Sequence, residues 1–345
     1  MFADEMDILS LSRWRATCHA NYSHAVASLQ RTLTNRIQPF VPYPHKLVDV
    51  VTKHGAVFGG EVALSFMLRP EPYHSATLEI FVSNFQFEEL CSDILDNPHV
   101  QPYIDKHSFL PSTLFTQLRR HIAETVIVHL ISGLTLYIHR SYTCSPSDPI
   151  TCSACTALSN FVSGYGFGCS HPALTLSRRA LLADQELAYL QPHDALTMNR
   201  LLTNNFTLAV SPTTWPEYQR HIDGDTLRSP EECWRNRYVC PKQGRFFGDA
   251  GSLVGFFDPL GGDEESCMKN NVAPFGPMVI WRIMSTFDCE DGCEYLDEVL
   301  EQGVTSVPVL FKKDPFGELQ DCVSDRCMRS SPFYRTFGRP RSLSF

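Results

Sequence analysis

Several features are missing from this 345-residue chain, and each absence excludes a class of protein. No run of about 18 apolar residues is present, so we expect no membrane-spanning helix. The first seven residues are acidic where a secretory leader needs positive charge, so we expect no export signal. Acidic residues outnumber basic ones, 38 against 29, which disfavours binding to nucleic acid or anionic membranes. We therefore expect a protein of the cytoplasm or nucleus.

Motifs of familiar catalytic sites are also missing. The chain has no Gly-x-Ser-x-Gly, no His-Glu-x-x-His and no Gly-x-x-x-x-Gly-Lys segment. Its histidines and aspartates are scattered, so the sequence gives nucleophilic catalysis no support. The 13 cysteines are an odd number, and without an export signal we expect free thiols rather than a disulfide framework.

The composition that is present indicates a folded protein with four segments. A hydrophobic content of 43% supports a full core, and a charged content of 19% is too low for a largely disordered chain. Residues 326–345 carry five arginines and no acid, which is typical of a flexible basic tail. We divide the remainder into a helical segment at 1–40, a core at 41–190 and a strand-containing subdomain at 191–325.

The order of elements predicts an α+β fold. Apolar residues between 6 and 38 recur every three to four positions, as on one buried helical face, and prolines then mark a linker. In the core we expect strands at 56–58, 78–82, 125–131 and 134–139, with helices at 87–95, 113–121, 154–162 and 174–187. Further strands are expected at 251–257 and 278–284. Alternating strands and helices favour a mixed sheet with flanking helices.

The most informative stretch is the glycine turn at Gly59 and Gly60, which lies between a short strand and an amphipathic helix. The next strand carries Thr77 and Glu79, which share one face because strand residues two apart point the same way. Nucleotidyltransferase-fold enzymes open in a similar way, but with two acidic residues at these two positions. A glycine turn before a helix can present amides to a phosphate, although it can equally be a turn that needs small residues.

The wider order of motifs resembles a family common in basidiomycete fungi, which joins an F-box-like start to a nucleotidyltransferase-like core. The likeness spans roughly residues 7–290, and its order is more specific than any single motif. The segments that carry it are Ile8–Tyr22, His54–Gly60, Ala76–Val82, Cys155–Val162, His171–Thr175 and Cys240–Leu253.

This resemblance implies a core that has lost part of its metal clamp. Carboxylates in such enzymes hold Mg²⁺ ions, which bind the triphosphate and activate a hydroxyl. Here Thr77 replaces the first acid, and the strands expected after it carry only Glu124 at one edge, so two of three carboxylates are not found. We therefore expect a non-catalytic interaction or adaptor scaffold that needs no cofactor.

The alternative is a degenerate, Mg²⁺-dependent nucleotidyltransferase or nucleotide-binding protein. Catalysis would then depend on Glu79 and Thr77, and nucleotide binding on Gly59, Gly60 and Glu79. Another acid, such as Glu61 or Glu124, would have to lie close to Glu79. Otherwise Glu61 serves only to favour the N-terminus of its helix.

The F-box resemblance implies a ubiquitin-ligase adaptor as a possible protein partner. An F-box normally begins with a Leu-Pro-x-Glu segment that grips this adaptor, and no such segment precedes Ile8. We therefore expect adaptor binding to be weak or absent.

A cluster of thiols and one imidazole gives a second candidate site. The spacing of Cys152 and Cys155 is that of a zinc half-site, and Cys169 and His171 would supply the other half. The alternative is that 152–162 forms a helix on which the two cysteines share a face and pack as ordinary buried thiols.

Overall fold

The computed structural model describes residues 2–69, 73, 75–111, 121–183, 192–219, 234–257, 278–284, 306–309, 311–313 and 319–321. Within these ranges the chain has an α+β fold, as predicted. The helices are α1 Ile8–Arg15, α2 His19–Ile37, α3 Pro44–Lys53, α4 Gly60–Met67, α5 Phe87–Leu95, α6 Asp148–Thr151, α7 Pro172–Thr175 and α8 Pro192–Thr203. The strands are β1 Val57–Gly59, β2 Thr77–Val82, β3 Ile104–Pro111, β4 Ile122–Leu130, β5 Thr135–Ser141, β6 Asn160–Val162, β7 Gly166–Cys169, β8 Arg179–Leu181, β9 Thr207–Ala209, β10 Leu253–Phe256, β11 Met278–Trp281, β12 Ser306–Val309, β13 Phe311–Lys313 and β14 Leu319–Asp321.

Eight of these strands form one mixed sheet in the order β10-β7-β6-β1-β2-β5-β4-β3. Strands β2 and β5 are parallel, with Glu79 beside Tyr137, and the other neighbours in this sheet are antiparallel. Strand β10 therefore joins the C-terminal part of the chain to the sheet of the predicted core. Three two-stranded sheets, β8-β9, β11-β12 and β13-β14, complete the described strands.

Helices α1 to α5 supply the large core on one face of the sheet. Alternate residues of β2, namely Leu78, Ile80 and Val82, belong to this core, because successive strand residues point to opposite faces. The N-terminal helices are part of it as well, since Ile8 and Leu11 of α1 are fully buried there. The predicted helical start is thus packed against the sheet.

The other face of the sheet carries Thr77, Glu79 and Phe81, the remaining residues of β2. All six residues of this strand are buried, so this second face is covered too. Phe81 packs there in a smaller apolar cluster with Ile150 and Phe161. A polar group on this face, such as the Glu79 carboxylate, therefore lies inside the protein.

Two predicted helices are wrong. In place of a helix at 154–162, Thr156–Leu158 is a short 3₁₀ turn, and Asn160–Val162 is the strand β6 between β1 and β7. In place of a helix at 174–187, α7 ends at Thr175, and Arg178 adopts a left-handed φ of 54° before strand β8. Short apolar runs fit either element, and pairing with distant strands decided both cases.

Other predictions were confirmed or lie outside the described residues. The helix at 87–95 and the strands near 57, 78, 125 and 135 are present, as are β10 and β11. The predicted helix at 113–121 falls almost wholly outside the described ranges, and the basic tail does so entirely. In the described part, no helix is long and apolar enough to cross a membrane.

Candidate functional site

The glycine turn lies directly against Glu79. Strand β1 ends at Gly59, whose register partner on β2 is Glu79, and helix α4 begins at Gly60. Gly60 has a left-handed φ of +57°, and a Cβ built there would lie 2.7 Å from Cδ and Oε1 of Glu79. A Cβ at Gly59 would lie 2.5 Å from the Phe81 ring. Both glycines are thus required by close packing on β2.

The Glu79 side chain is buried, with an exposed fraction of 7%. Its Oε2 atom lies 3.7 Å from Nε2 of His139, on the parallel neighbour β5. The other ring nitrogen of His139 is 2.9 Å from Oγ1 of Thr125 on β4, and the ring stacks on Tyr137. A histidine therefore stands beside Glu79, on the later strand where a further carboxylate was sought.

Glu61 lies in the first turn of α4 and is inside the protein, with no exposed area. It accepts hydrogen bonds from Nε of Arg200 at 2.8 Å and from the hydroxyl of Tyr73 at 3.0 Å. Weaker contacts reach it from the amide of Ala76 at 3.4 Å and the hydroxyl of Thr77 at 3.5 Å. The carboxylate nearest the glycine turn in sequence is thus held by the protein itself.

The electrostatics around Glu61 agree with this arrangement. Burial lowers the pKa of Arg200, but the hydrogen bond and charge of Glu61 outweigh burial and raise that pKa above its usual value. Burial, followed by the charge of Glu61, holds the pKa of the Tyr73 hydroxyl well above its usual value. Arg200 therefore remains a cation and Tyr73 a neutral donor at physiological pH.

Sequence reasoning missed Arg200, which lies 139 residues beyond Glu61 in the chain. It projects from helix α8, and the sequence carries no local signal that joins α8 to α4. Only the general rule that a buried carboxylate has a cationic partner could have pointed to such a residue.

The other acid considered, Glu124, lies away from Glu79. Its Oε2 is 3.3 Å from Nη1 of Arg140, whose guanidinium covers the ring of Phe87 on α5. Arg140 is next to His139 on β5, so the two point to opposite faces of the sheet. Glu124 therefore lies with Arg140 on the face that carries α5 and does not complete a clamp at Glu79.

The zinc candidates are only partly brought together. Cys152, Cys155 and His171 border one small cleft, while Cys169 lies within strand β7, fully buried. Burial raises the pKa of the Cys169 thiol to about 12, which opposes the thiolate form that zinc binds. Nδ1 of His171 is 2.9 Å from the hydroxyl of Ser170. Among the described residues, no group of three or more His, Cys, Asp or Glu side chains could hold a metal ion.

A different set of side chains converges on Cys152, and the sequence did not reveal it. Nδ1 of His121, just before β4, lies 3.1 Å from Oδ1 of Asp148 at the start of α6. The same imidazole interacts with the thiol of Cys152 at the end of α6. The spacing of Asp148 and Cys152 along one helical turn was visible, but its meeting with His121 depends on the fold.

Comparison with known proteins assigns the chain to no family. No protein-family model, curated protein or solved structure matches it. The residues and their geometry therefore carry the functional argument.

Proposed function

We propose that this protein is a non-catalytic interaction scaffold on a nucleotidyltransferase-like core, whose metal clamp has been replaced by contacts within the protein. The succession of β1, the glycine turn, α4 and β2 supports such a core. The observation that carries the proposal is the Glu61 carboxylate, which is fully buried and bound by Arg200 and Tyr73.

A working clamp needs carboxylate oxygens that face its substrate. Mg²⁺ takes octahedral oxygen ligands, keeps several waters and binds phosphates through the remaining positions. Glu61 instead faces Arg200, and Glu79 is covered by the backbone of Gly60 and by His139. Thr77 adds only a neutral hydroxyl. Each of the two carboxylates near the turn thus has protein neighbours where a metal would have to bind.

The N-terminal helices fit a scaffold better than an adaptor-binding module. Ile8 and Leu11, in the F-box-like segment, are fully buried in the core that they share with the sheet. Arg15 donates a hydrogen bond to the carbonyl of Phe256, and Ser28 donates one to Asp4. These helices hold the fold together, and we propose weak or absent binding of a ligase adaptor.

The partners that fit this proposal are other proteins in the cytoplasm or nucleus. The net charge of −9 disfavours nucleic acid and anionic membranes. Direct titration with purified ligase adaptor distinguishes a general interaction scaffold from an F-box-type adaptor. We expect no binding at tens of micromolar adaptor, and a Kd below about 1 µM, about −8 kcal/mol, would instead assign the F-box role.

An assay of pyrophosphate release tests the proposal that the protein does not catalyse nucleotidyl transfer. The purified chain is incubated with ATP, GTP, CTP and UTP, with Mg²⁺ or Mn²⁺, beside the matched variant Glu79→Ala. We expect the wild type to release no more pyrophosphate than the variant. Release that depends on the metal and on Glu79 would overturn the proposal.

One observation favours the alternative of a degenerate, Mg²⁺-dependent nucleotidyltransferase. Gly60, Glu79 and Thr197 border a small cleft, so the turn retains some access from outside. Gly59, Gly60, Glu79 and Thr77 would then bind Mg²⁺ and a nucleoside triphosphate. The same pyrophosphate assay decides between the alternative and the scaffold.

A further inference from the structure

The two ends of the eight-stranded sheet meet the solvent differently. At one end, the N-terminal helices cover strand β10, because Arg15 donates a hydrogen bond to the carbonyl of Phe256 and the hydroxyl of Tyr22 donates one to the carbonyl of Phe257. At the other end, β3 pairs with β4 on one side, and no described strand lies on its other side. A strand with one open side presents backbone groups that can pair with a further strand.

Strand β3 is long for an open edge, and most of it is exposed. It spans Ile104–Pro111, and each side chain from Asp105 to Phe109 is exposed. Natural proteins commonly keep an open edge strand very short or cover it with a helix or loop. The open side of β3 is instead long enough for several ladder pairs with an incoming strand.

The features that oppose pairing are confined to the two ends of β3. The ladder to β4 shifts register between Ile104 and Lys106, and Pro111 at the other end has no amide hydrogen to donate. The residues between these features, Lys106–Leu110, pair regularly with β4. Lys106, at the start of this run, is its one lysine, arginine or acidic residue. The open edge is therefore regular over a short run centred on Ser108.

An aromatic ring projects from this run on the face that carries the large core. Phe109 lies opposite Val126 of β4, and His107 lies opposite Val128, and both valines are fully buried in that core. Phe109 is nevertheless 50% exposed, and its ring meets the imidazole of His107 edge-on, with 6.0 Å between the ring centroids. The elements that bury the valines thus leave Phe109 half uncovered, and a further strand beside β3 would cover it.

We propose that β3 pairs with β3 of a second copy of this chain, antiparallel and about a twofold axis at Ser108. In this register His107 of each copy lies opposite Phe109 of the other, so the two ring contacts join into one cluster of four rings. Lys106 lies opposite Leu110, which keeps the two lysines more than about 13 Å apart, four residues along the strand. Parallel pairing in register would instead place lysine beside lysine, and like charges directly opposite are destabilising.

A second copy fits this edge because a twofold interface uses the same patch on both partners. The small side chain of Ser108 meets its own counterpart at the centre. The register shift of one copy and Pro111 of the other both fall outside the regular run, at its ends. The pairing joins two eight-stranded sheets into one and leaves neither β3 edge open. This inference goes beyond the scaffold role and does not depend on nucleotide or adaptor binding.

The mass of the full chain in solution tests the dimer, by sedimentation equilibrium from about 1 µM to about 100 µM. We expect the wild-type mass to rise from 39.0 kDa toward twice this value. Phe109→Lys places a charge in the ring cluster and should weaken association at least about tenfold. Phe85→Lys is the matched control, because Phe85 is 51% exposed in the turn before α5, and it should associate like wild type. A wild type that stays a single chain at about 100 µM, or equal association of the two variants, would overturn the proposal.

Cross-linking tests the register and decides the matter even if Phe109→Lys fails to fold. Ser108→Cys would place the two introduced thiols directly opposite each other, with about 4.5–5.5 Å between their Cα atoms, which a disulfide can span. Lys106→Cys is the control, because its thiols lie beyond the limit of about 7 Å between Cα atoms. Both positions are exposed. Under the same mild oxidation, we expect mass spectrometry to find a disulfide between two copies at residue 108 and none at residue 106. No link at residue 108, or as much at residue 106, would contradict the proposed pairing.

Discussion

The ion pair between Glu61 and Arg200 can be broken from its partly exposed side. Replacing Arg200 with Met removes the guanidinium and leaves Glu61, which has no exposed area, without its cationic partner. Removing one member of a buried pair costs about 3–5 kcal/mol. The Arg200 side chain is 25% exposed, so water compensates in part, and we take the lower end, about 3 kcal/mol.

The double variant separates the lost charge from the lost packing. In Glu61→Gln with Arg200→Met, the amide is neutral and still accepts the hydrogen bond of Tyr73. A buried pair replaced on both sides is often nearly neutral in stability, so we expect the double variant within about 1 kcal/mol of wild type. As a matched control, Arg31→Met removes a surface arginine bound to Asp4 and should cost less than about 1 kcal/mol.

Urea unfolding followed by circular dichroism measures these differences, and thermal melting checks them. A loss of about 3 kcal/mol corresponds to a melting temperature about 4 °C lower in a chain of 345 residues. The reasoning would be refuted if Arg200→Met matched Arg31→Met in stability. It would also be refuted if the double variant were no more stable than Arg200→Met alone.

Two further perturbations test the site and its surroundings. In urea unfolding, Gly60→Ala should lower the free energy of unfolding by about 2–3 kcal/mol, because backbone strain at positive φ adds to the clash with Glu79. The control Gly133→Ala has a φ of +81° but open space around the new Cβ, and it should lower the free energy by only about 1 kcal/mol. Equal losses in the two variants would contradict this reasoning. Hydrogen bonds from Lys53 and then His54 hold the pKa of Asp93 below its usual value. The stability that Asp93 gives is therefore present at neutral pH and lost as the pH falls below about 4. Asp93→Asn should differ from wild type in urea unfolding at pH 7, and the difference should shrink steadily as the pH is lowered below about 4; a difference that does not change with pH would contradict this.

Much of the sheet could be predicted from the sequence because its central elements carry strong local signals. The β-branched run at 125–131 and the amphipathic helix at 87–95 lie within one or a few residues of β4 and α5. The predicted sharing of a face by Thr77 and Glu79 follows from the period of a strand and is present in β2. These features depend on neighbours in sequence, so the sequence specifies them.

The site itself depends on contacts that no local pattern encodes. Arg200 reaches Glu61 from α8, and His121 is separated from Asp148 in sequence by the strands β4 and β5. Neither pair therefore has a sequence spacing that would predict its contact. Strand β6 was misjudged for the same reason, because Asn160–Val162 becomes a strand by pairing with β1 and β7. Such partners are chosen by the tertiary fold, which overrides local preference.

The central claim is that the glycine turn no longer serves a metal and a nucleotide. The most direct test is a calorimetric titration of wild type and Glu79→Ala with ATP, GTP, CTP and UTP, each with and without Mg²⁺. We predict no binding by either protein up to millimolar nucleotide, which corresponds to a free energy weaker than about −4 kcal/mol. Mg²⁺-dependent binding by the wild type that disappears in Glu79→Ala would contradict the account.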